Sequence, residues 1–126
     1  MKTIYNIGQI AIPVSDLDAS ITFYRGLPGL KFLFQAPPGL AFFQSGEVRL
    51  MLEASPSGRE GARGSVIYFR TADIVNLYHE LHAKGVSFID EPHLIAKMPG
   101  HELWMAFFHD PSGNLLALMA ELPLKA

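Results

Sequence analysis

The chain has 126 residues, 49% hydrophobic and 17% charged, which is typical of one globular domain with enough apolar material for a sizeable core. Its formal net charge is −2 and it has no cysteine, so the sequence excludes disulfides and thiolate metal sites and disfavours a nucleic-acid partner. No apolar run approaches the ~18 residues of a membrane span, and polar residues interrupt any signal-peptide core near the N-terminus. We therefore expect a cytoplasmic protein without a membrane partner.

The first half of the chain predicts one strand, one helix and three further strands. Residues 4–14 are rich in Ile and Val and predict the first strand. Ser15 and Asp18 stand in capping-box spacing at the start of a short helix with one apolar face, which ends at Gly26. The following strands are predicted at residues 31–34, 40–45 and 48–53, the last two as a hairpin.

Residues 55–64 allow two interpretations. Glycines spaced by threes, with two arginines between them, would suit a phosphate-binding loop. Such a loop needs a helix N-terminus after the glycines, and a strand-like run follows here instead. We therefore interpret the segment as a linker between two halves.

The second half of the chain repeats the order of the first. Residues 66–70 predict a strand, a helix starts at Asp73 and stops at Gly85, and a strand is predicted at residues 86–90. A hairpin then closes the chain, with strands at 103–108 and 115–120 around the turn sequence Asp-Pro-Ser-Gly.

This order predicts two tandem βαβββ repeats in a single domain that spans residues 1–126. Repeat one would cover residues 4–54, the linker 55–64 and repeat two 65–122. A unit of this size leaves one sheet face bare, so two units must pair to bury their helices and enclose the other face. We expect an α+β fold with a curved, cleft-enclosing mixed sheet and the helices outside.

Three motifs in order resemble the vicinal oxygen chelate superfamily, which includes glyoxalases, extradiol dioxygenases and bleomycin-resistance proteins. The motifs are residues 9–18 with Phe23 and Tyr24, residues 69–73, and residues 110–114. The resemblance covers essentially the whole chain and implies the fold, whereas this fold hosts several chemistries and also pure binders.

The resemblance places the superfamily's metal ligands on Gln9, Val66 and Ala117, with a fourth near residues 49–51. Gln is a weak oxygen ligand, and Val and Ala cannot bind a cation. We therefore expect neither a metal nor another cofactor at this position, and whether the chain is an enzyme stays open.

Histidines provide two alternative sites. His79 and His82 are three residues apart on the second helix, where a metal pair is possible and a solvated helix face is commoner. His93 and His101 flank the final hairpin, and either line a ligand pocket or are ordinary loop histidines.

Strand alternation predicts which side chains face a cleft. On strand 48–53, Arg49, Met51 and Glu53 would face inward, because burying the two charged residues under a helix would cost several kcal/mol. The alternative register would place Leu50 and Leu52 inside. Trp104 is a candidate for the core, the pocket or a dimer interface, and its parity favours the helix side. The complete set of predicted ligand-binding residues is Gln9, Arg49, Met51, Glu53, Tyr68, Arg70, His93, His101, Met105, Phe107 and Met119.

Within this set, Arg49 and Arg70 would clamp an acidic group, Tyr68 would stack, and Glu53 would partner either arginine in the empty site. The alternative is that the apolar members are plain core and the arginines are solvated strand ends.

We interpret the chain as a small-molecule-binding or metal-independent member of the superfamily; antibiotic sequestration is one version. The alternative is a glyoxalase-like lyase or a dioxygenase-like metalloenzyme with a relocated or partner-completed site. Members of the superfamily commonly pair their chains, so we also expect a homodimer.

Overall fold

The computed structural model describes residues 7–54 and 65–124. The chain divides into two compact units, residues 1–62 and 63–126. The predicted linker and its glycine-loop alternative, together with the first residues of the predicted first strand, lie outside the described residues.

Unit 1 is a four-stranded mixed sheet with one helix. Its elements are β1 (Gln9–Val14), α1 (Leu17–Arg25), β2 (Lys31–Ala36), β3 (Leu40–Ser45) and β4 (Val48–Ala54). The strand order is β1-β4-β3-β2, with β1 and β4 parallel and the other neighbours antiparallel.

Helix α1 begins one residue later than the predicted capping box. Asp16 is the N-cap, and its Oδ1 accepts from the backbone N–H of Ala19 at 3.1 Å, so the choice of Ser15 as the cap was wrong. Both residue types cap helices, and an Asp carboxylate also favours the positive end of the helix dipole. The helix ends at Gly26, as predicted.

The core of unit 1 lies between α1 and one face of the sheet. Helix residues Ile21 and Tyr24 are buried, and the Tyr24 ring lies 6.0 Å from the ring of Phe43. The alternate positions of the strands supply the rest of this core, which includes Ile12, Val14, Ala41, Leu50 and Leu52.

Unit 2 contains β5 (Ile67–Arg70), α2 (Ile74–Ala83), β6 (Ser87–Phe88), β7 (His93–Met98), β8 (His101–His109) and β9 (Leu115–Pro123). Strand β9 lies between β5, which is parallel to it, and β8, which is antiparallel. Both β6 and β7 pair with β8.

The structure corrects the predicted strands of this half. The strand expected at residues 86–90 is only two residues long, and β7 was not predicted. Five of the six residues of β7 are exposed, so this strand lacks the alternation that marks a half-buried strand in a sequence.

The core of unit 2 repeats the plan of unit 1. Asp73 caps α2 through the backbone N–H of Asn76, and a chain of aromatic contacts joins the helix to the sheet. The Tyr78 ring lies 4.7 Å from that of Phe88, which lies 5.1 Å from Phe108. Trp104 shares the face of Phe108, on the helix side of the sheet, and its indole N–H donates to Glu102 at 3.0 Å.

The turn between β8 and β9 is organised by the buried carboxylate of Asp110. Its Oδ1 accepts from the backbone N–H groups of Ser112 and Asn114 at 2.9 and 2.8 Å, and its Oδ2 accepts from the Asn114 side chain at 2.8 Å. Gly113 has φ of 86°, a left-handed conformation that glycine adopts without strain. The predicted turn is therefore present, with the aspartate as its centre.

The predicted α+β fold class with two strand-and-helix repeats is confirmed, and the strands form two sheets, one in each unit. Among the described residues, no helix is long and apolar enough to cross a membrane.

Replacement of Asp110 by Ala should lower the free energy of unfolding by about 2–3 kcal/mol, because the part-buried donors of the turn lose a charged acceptor. Asp110→Asn keeps Oδ1 as an acceptor and should lose about half as much. Urea denaturation of both variants measures the difference. Equal losses below ~0.5 kcal/mol would contradict the role assigned to this carboxylate.

Candidate functional site

Each sheet has a face opposite the helix of its own unit, here called its far face. In unit 1, one row of paired positions across this face joins Gln9, Arg49, Gln44 and Lys31. The next row joins Ala11, Met51, Phe42 and Phe34. The far face therefore carries both polar and aromatic side chains.

The register of β4 agrees with the preferred alternation. Leu50 and Leu52 are 1% and 0% exposed and lie under α1, whereas Arg49 and Glu53 are exposed and Met51 is half-buried. The alternative register, with both leucines on the far face, is excluded because the two charged side chains would then occupy the core.

Arg49 is fixed by Gln9 on the neighbouring strand. Its Nε donates to Gln9 Oε1 at 2.7 Å, the length of a strong charge-assisted hydrogen bond. The amide nitrogen of the same Gln9 contacts Met51 Sδ at 3.7 Å. The amide oxygen of Gln9 thus orients the Arg49 guanidinium, while its amide nitrogen contacts the Met51 sulfur.

An aromatic pair lies beside this guanidinium. The central carbon of the Arg49 guanidinium is 5.6 Å from the centre of the Phe42 ring, within the range of a cation–π contact. Phe34 packs beside Phe42 with ring centres 4.8 Å apart, and 51% of Phe34 is exposed. A cation and an accessible aromatic surface are therefore adjacent on one sheet face.

The residues present do not fit the metal that the superfamily's pattern implies. Gln9 Oε1, the one oxygen at those positions, already accepts from a guanidinium, whose positive charge opposes a second cation beside it. Val66 carries no donor atom, and Ala117 is fully buried and carries none either.

In unit 2, a row of paired positions on the far face joins Tyr68, Ala117 and Phe107. The rings of Tyr68 and Phe107 meet edge to face at 6.0 Å. The neighbouring row joins Arg70, Met119, Met105 and His93. The predicted inward residues of this unit therefore share one face.

A carboxylate joins two of the predicted site residues. Glu121 Oε1 lies 3.6 Å from an Arg70 terminal nitrogen, and its Oε2 lies 3.4 Å from His101 Nε2. Sequence reasoning missed Glu121, although it lies two residues after Met119 and therefore has the same strand parity. This group of Arg70, Glu121 and His101 is called the acid group below.

The predicted partner of the arginines needs correction. Glu53 was expected to neutralise Arg49 or Arg70, whereas Gln9 and Glu121 are the partners that the structure shows. The reason is strand register, because Glu53 pairs with Pro13 and Leu40, two rows away from Arg49.

Three further histidines, His79, His82 and His93, contact residues that are near them in the sequence. The ring of His93, the first residue of β7, contacts the turn before the strand, with Nδ1 2.9 Å from the carbonyl oxygen of Glu91 and 3.9 Å from Asp90 Oδ2. His79 and His82 are exposed on α2, where both rings contact Tyr78. Across residues 7–54 and 65–124, no three His, Asp or Glu side chains are grouped as a metal site would require.

Comparison with known proteins gives one family and a consistent fold. The model of the Glyoxalase/Bleomycin resistance protein/Dioxygenase superfamily matches residues 6–118. An uncharacterized protein of Bacillus subtilis (strain 168), YraH, is 26% identical, and the match covers 87% of this chain and 94% of that protein.

Solved structures extend the comparison. TnmS3, an antibiotic binding protein from Streptomyces sp. CB03234, has a TM-score of 0.76 and 25% identity, with 96% of this chain and 99% of that chain covered. Lactoylglutathione lyase from Agrobacterium tumefaciens has a TM-score of 0.74 and 21% identity, with coverage of 94% and 96%. The second likeness concerns the fold alone.

Protein purified without chelators should contain no stoichiometric divalent metal, because the donor atoms at the superfamily's positions are missing or already bonded to Arg49. Elemental analysis by mass spectrometry measures this on the wild type and on Gln9→Ala. One equivalent of metal in the wild type, absent from Gln9→Ala, would contradict the assignment.

Proposed function

The chain belongs to the Glyoxalase/Bleomycin resistance protein/Dioxygenase superfamily, and from this premise we propose that it binds a small aromatic acid without the help of a metal. The observation that carries the proposal is the Arg49 guanidinium, held by Gln9 at 2.7 Å beside the ring of Phe42. The resemblance puts one metal ligand on Gln9 and another near residues 49–51, and in this chain the Gln9 side chain accepts a hydrogen bond from the Arg49 guanidinium.

Arg49 is suited to an acidic group because one of its nitrogens is already used for orientation. Gln9 engages Nε, so the guanidinium plane is set before any ligand arrives. The terminal nitrogens form the planar fork that binds a carboxylate through two parallel hydrogen bonds. Pre-orientation reduces the conformational entropy that a flexible arginine would lose on binding.

Phe34 and Phe42 are suited to the rest of the ligand. Their tilted pair presents a half-buried ring and an exposed ring next to the cation. A ligand ring packed against them removes apolar area from water and gains the preferred aromatic geometries. The ligand class is therefore an aryl group that carries an acidic substituent.

One structural relative and the missing metal donors support binding. TnmS3 is an antibiotic binding protein of the same fold, at the identity and coverage given above. The missing metal donors speak against the metal-dependent reactions of the superfamily, so a glyoxalase-like or dioxygenase-like activity would need a different set of catalytic groups.

We also propose that the chain forms a homodimer through β7. This strand lies at an edge of the described sheet of unit 2, and its side chains Leu94, Ile95 and Met98 are all more than a third exposed. An apolar edge strand is a template for pairing with another chain, and in a native protein it is usually covered.

Arg49→Ala should weaken the binding of aromatic carboxylates by about 1.5–3 kcal/mol, the usual contribution of a hydrogen bond to a charged group. Arg49→Lys keeps the charge but loses the fork and should fall between the wild type and Ala. Calorimetry with hits from an aromatic-acid screen measures both.

Lys31→Ala is the matched control, because Lys31 is an exposed cation in the same row of the sheet, at its other end. If Lys31→Ala weakens binding as much as Arg49→Ala, the loss of affinity comes from the lower net positive charge of the sheet face, and the assignment of Arg49 is wrong.

Light scattering at micromolar concentration should give twice the 13.9 kDa mass of the chain. Ile95→Lys should shift the protein toward the monomer, since it places a charge on the apolar edge, whereas Val75→Lys on α2 should not. A wild type that is only monomeric would contradict the dimer, and an equal effect of both variants would contradict the role of β7.

A further inference from the structure

The acid group of unit 2 holds the Glu121 carboxylate between the Arg70 guanidinium and the His101 imidazole. Glu121 lies 3.6 Å from Arg70 and 3.4 Å from His101, so its two oxygens point to different partners. Both distances exceed the 2.7–2.9 Å of a close charge-assisted hydrogen bond. Arg70 and His101 therefore flank the Glu121 carboxylate without binding it tightly.

The acid group is also accessible. The Arg70 side chain is 69% exposed and the Glu121 side chain 39% exposed. Ion pairs with this exposure contribute little to stability, because water solvates both charges when they separate. An incoming carboxylate could therefore replace Glu121 at Arg70 at small cost.

The surface beside the acid group is aromatic and apolar. Tyr68 lies two residues before Arg70 on the same strand face, about 6.6 Å along the strand at the usual rise. Its ring meets Phe107, and the half-buried Met105 and Met119 fill the row between Arg70 and His93. A ring placed on Tyr68 would bring an attached carboxylate toward Arg70.

We propose that Arg70, with Tyr68 and Phe107, forms a second binding site for aromatic carboxylates, and that Glu121 is its built-in competitor. In the free protein Glu121 pairs with Arg70 and lies beside His101. When ligand binds, its carboxylate takes the place of Glu121 at Arg70, and Glu121 turns to His101 or to water. The inference rests on the proposed function and assigns unit 2 a ligand contact of its own.

The test uses cinnamate as the probe and cinnamamide as its uncharged counterpart, in full-length Arg49→Ala protein, so that binding through Arg49 is removed. NMR titration follows dissociation constants into the millimolar range. Introducing Glu121→Gln into the Arg49→Ala protein should strengthen cinnamate binding about threefold to fivefold, because the exposed ion pair that competes with the ligand is lost. Addition of Arg70→Gln should weaken it about tenfold. Cinnamamide binding should change in neither case.

Glu80→Gln is the matched control. Glu80 forms an exposed ion pair of the same 3.6 Å length with Lys84 on α2, and its replacement changes the net charge equally. A change in cinnamate affinity that is the same for Glu80→Gln and Glu121→Gln would overturn the inference. Thermal melting of every variant verifies that it is folded.

The two proposals fail in distinguishable ways. If the wild type binds cinnamate through Arg49 and Glu121→Gln has no effect, the second site is overturned and the proposed function stands. If Arg49→Ala changes neither the affinity nor the number of cinnamate molecules bound, and Glu121→Gln strengthens binding, the second site is supported and the assignment of Arg49 is overturned. If none of the proteins binds an aromatic acid, both are overturned.

Discussion

Burial of one face of each sheet under its helix is the constraint on which the rest of the structure depends. In unit 1 this face is closed by Tyr24 and Phe43, and in unit 2 by Tyr78 and Phe108. Because side chains alternate along a strand, fixing the apolar face also fixes which residues appear on the far face. The polar and aromatic groups of both candidate sites follow from this alternation.

The hydrogen bond between Gln9 and Arg49 connects the fold to the proposed function. The superfamily's pattern would gather oxygen and nitrogen ligands around a metal, and this chain instead joins Gln9 to the guanidinium of Arg49. A metal polarises several ligand oxygens at once, whereas a guanidinium presents two parallel donors in a plane. This donor geometry is the basis on which we propose recognition of an acidic group.

The sequence predicted those features that depend on local periodicity. Both helices, the hairpins and the direction of Arg49 follow from apolar spacing and from the cost of burying charge. Strand β7, which lies between Pro92 and Pro99, was not predicted because most of its residues are exposed and show no apolar alternation. Glu121 was not predicted as the partner of Arg70, because the distance between them depends on the register of β5 against β9. Local spacing in the sequence does not determine that register.

The most direct test of the central claim is the ¹⁵N NMR signal of Arg49 Nε, assigned by comparison with Arg49→Lys, during titration with an aromatic carboxylate. The Nε–H is donated to Gln9 at 2.7 Å, so we expect a resolved signal in the free protein that moves in a saturable way as the ligand occupies the terminal nitrogens. A signal that exchanges freely with water and does not move at ligand saturation would contradict the account.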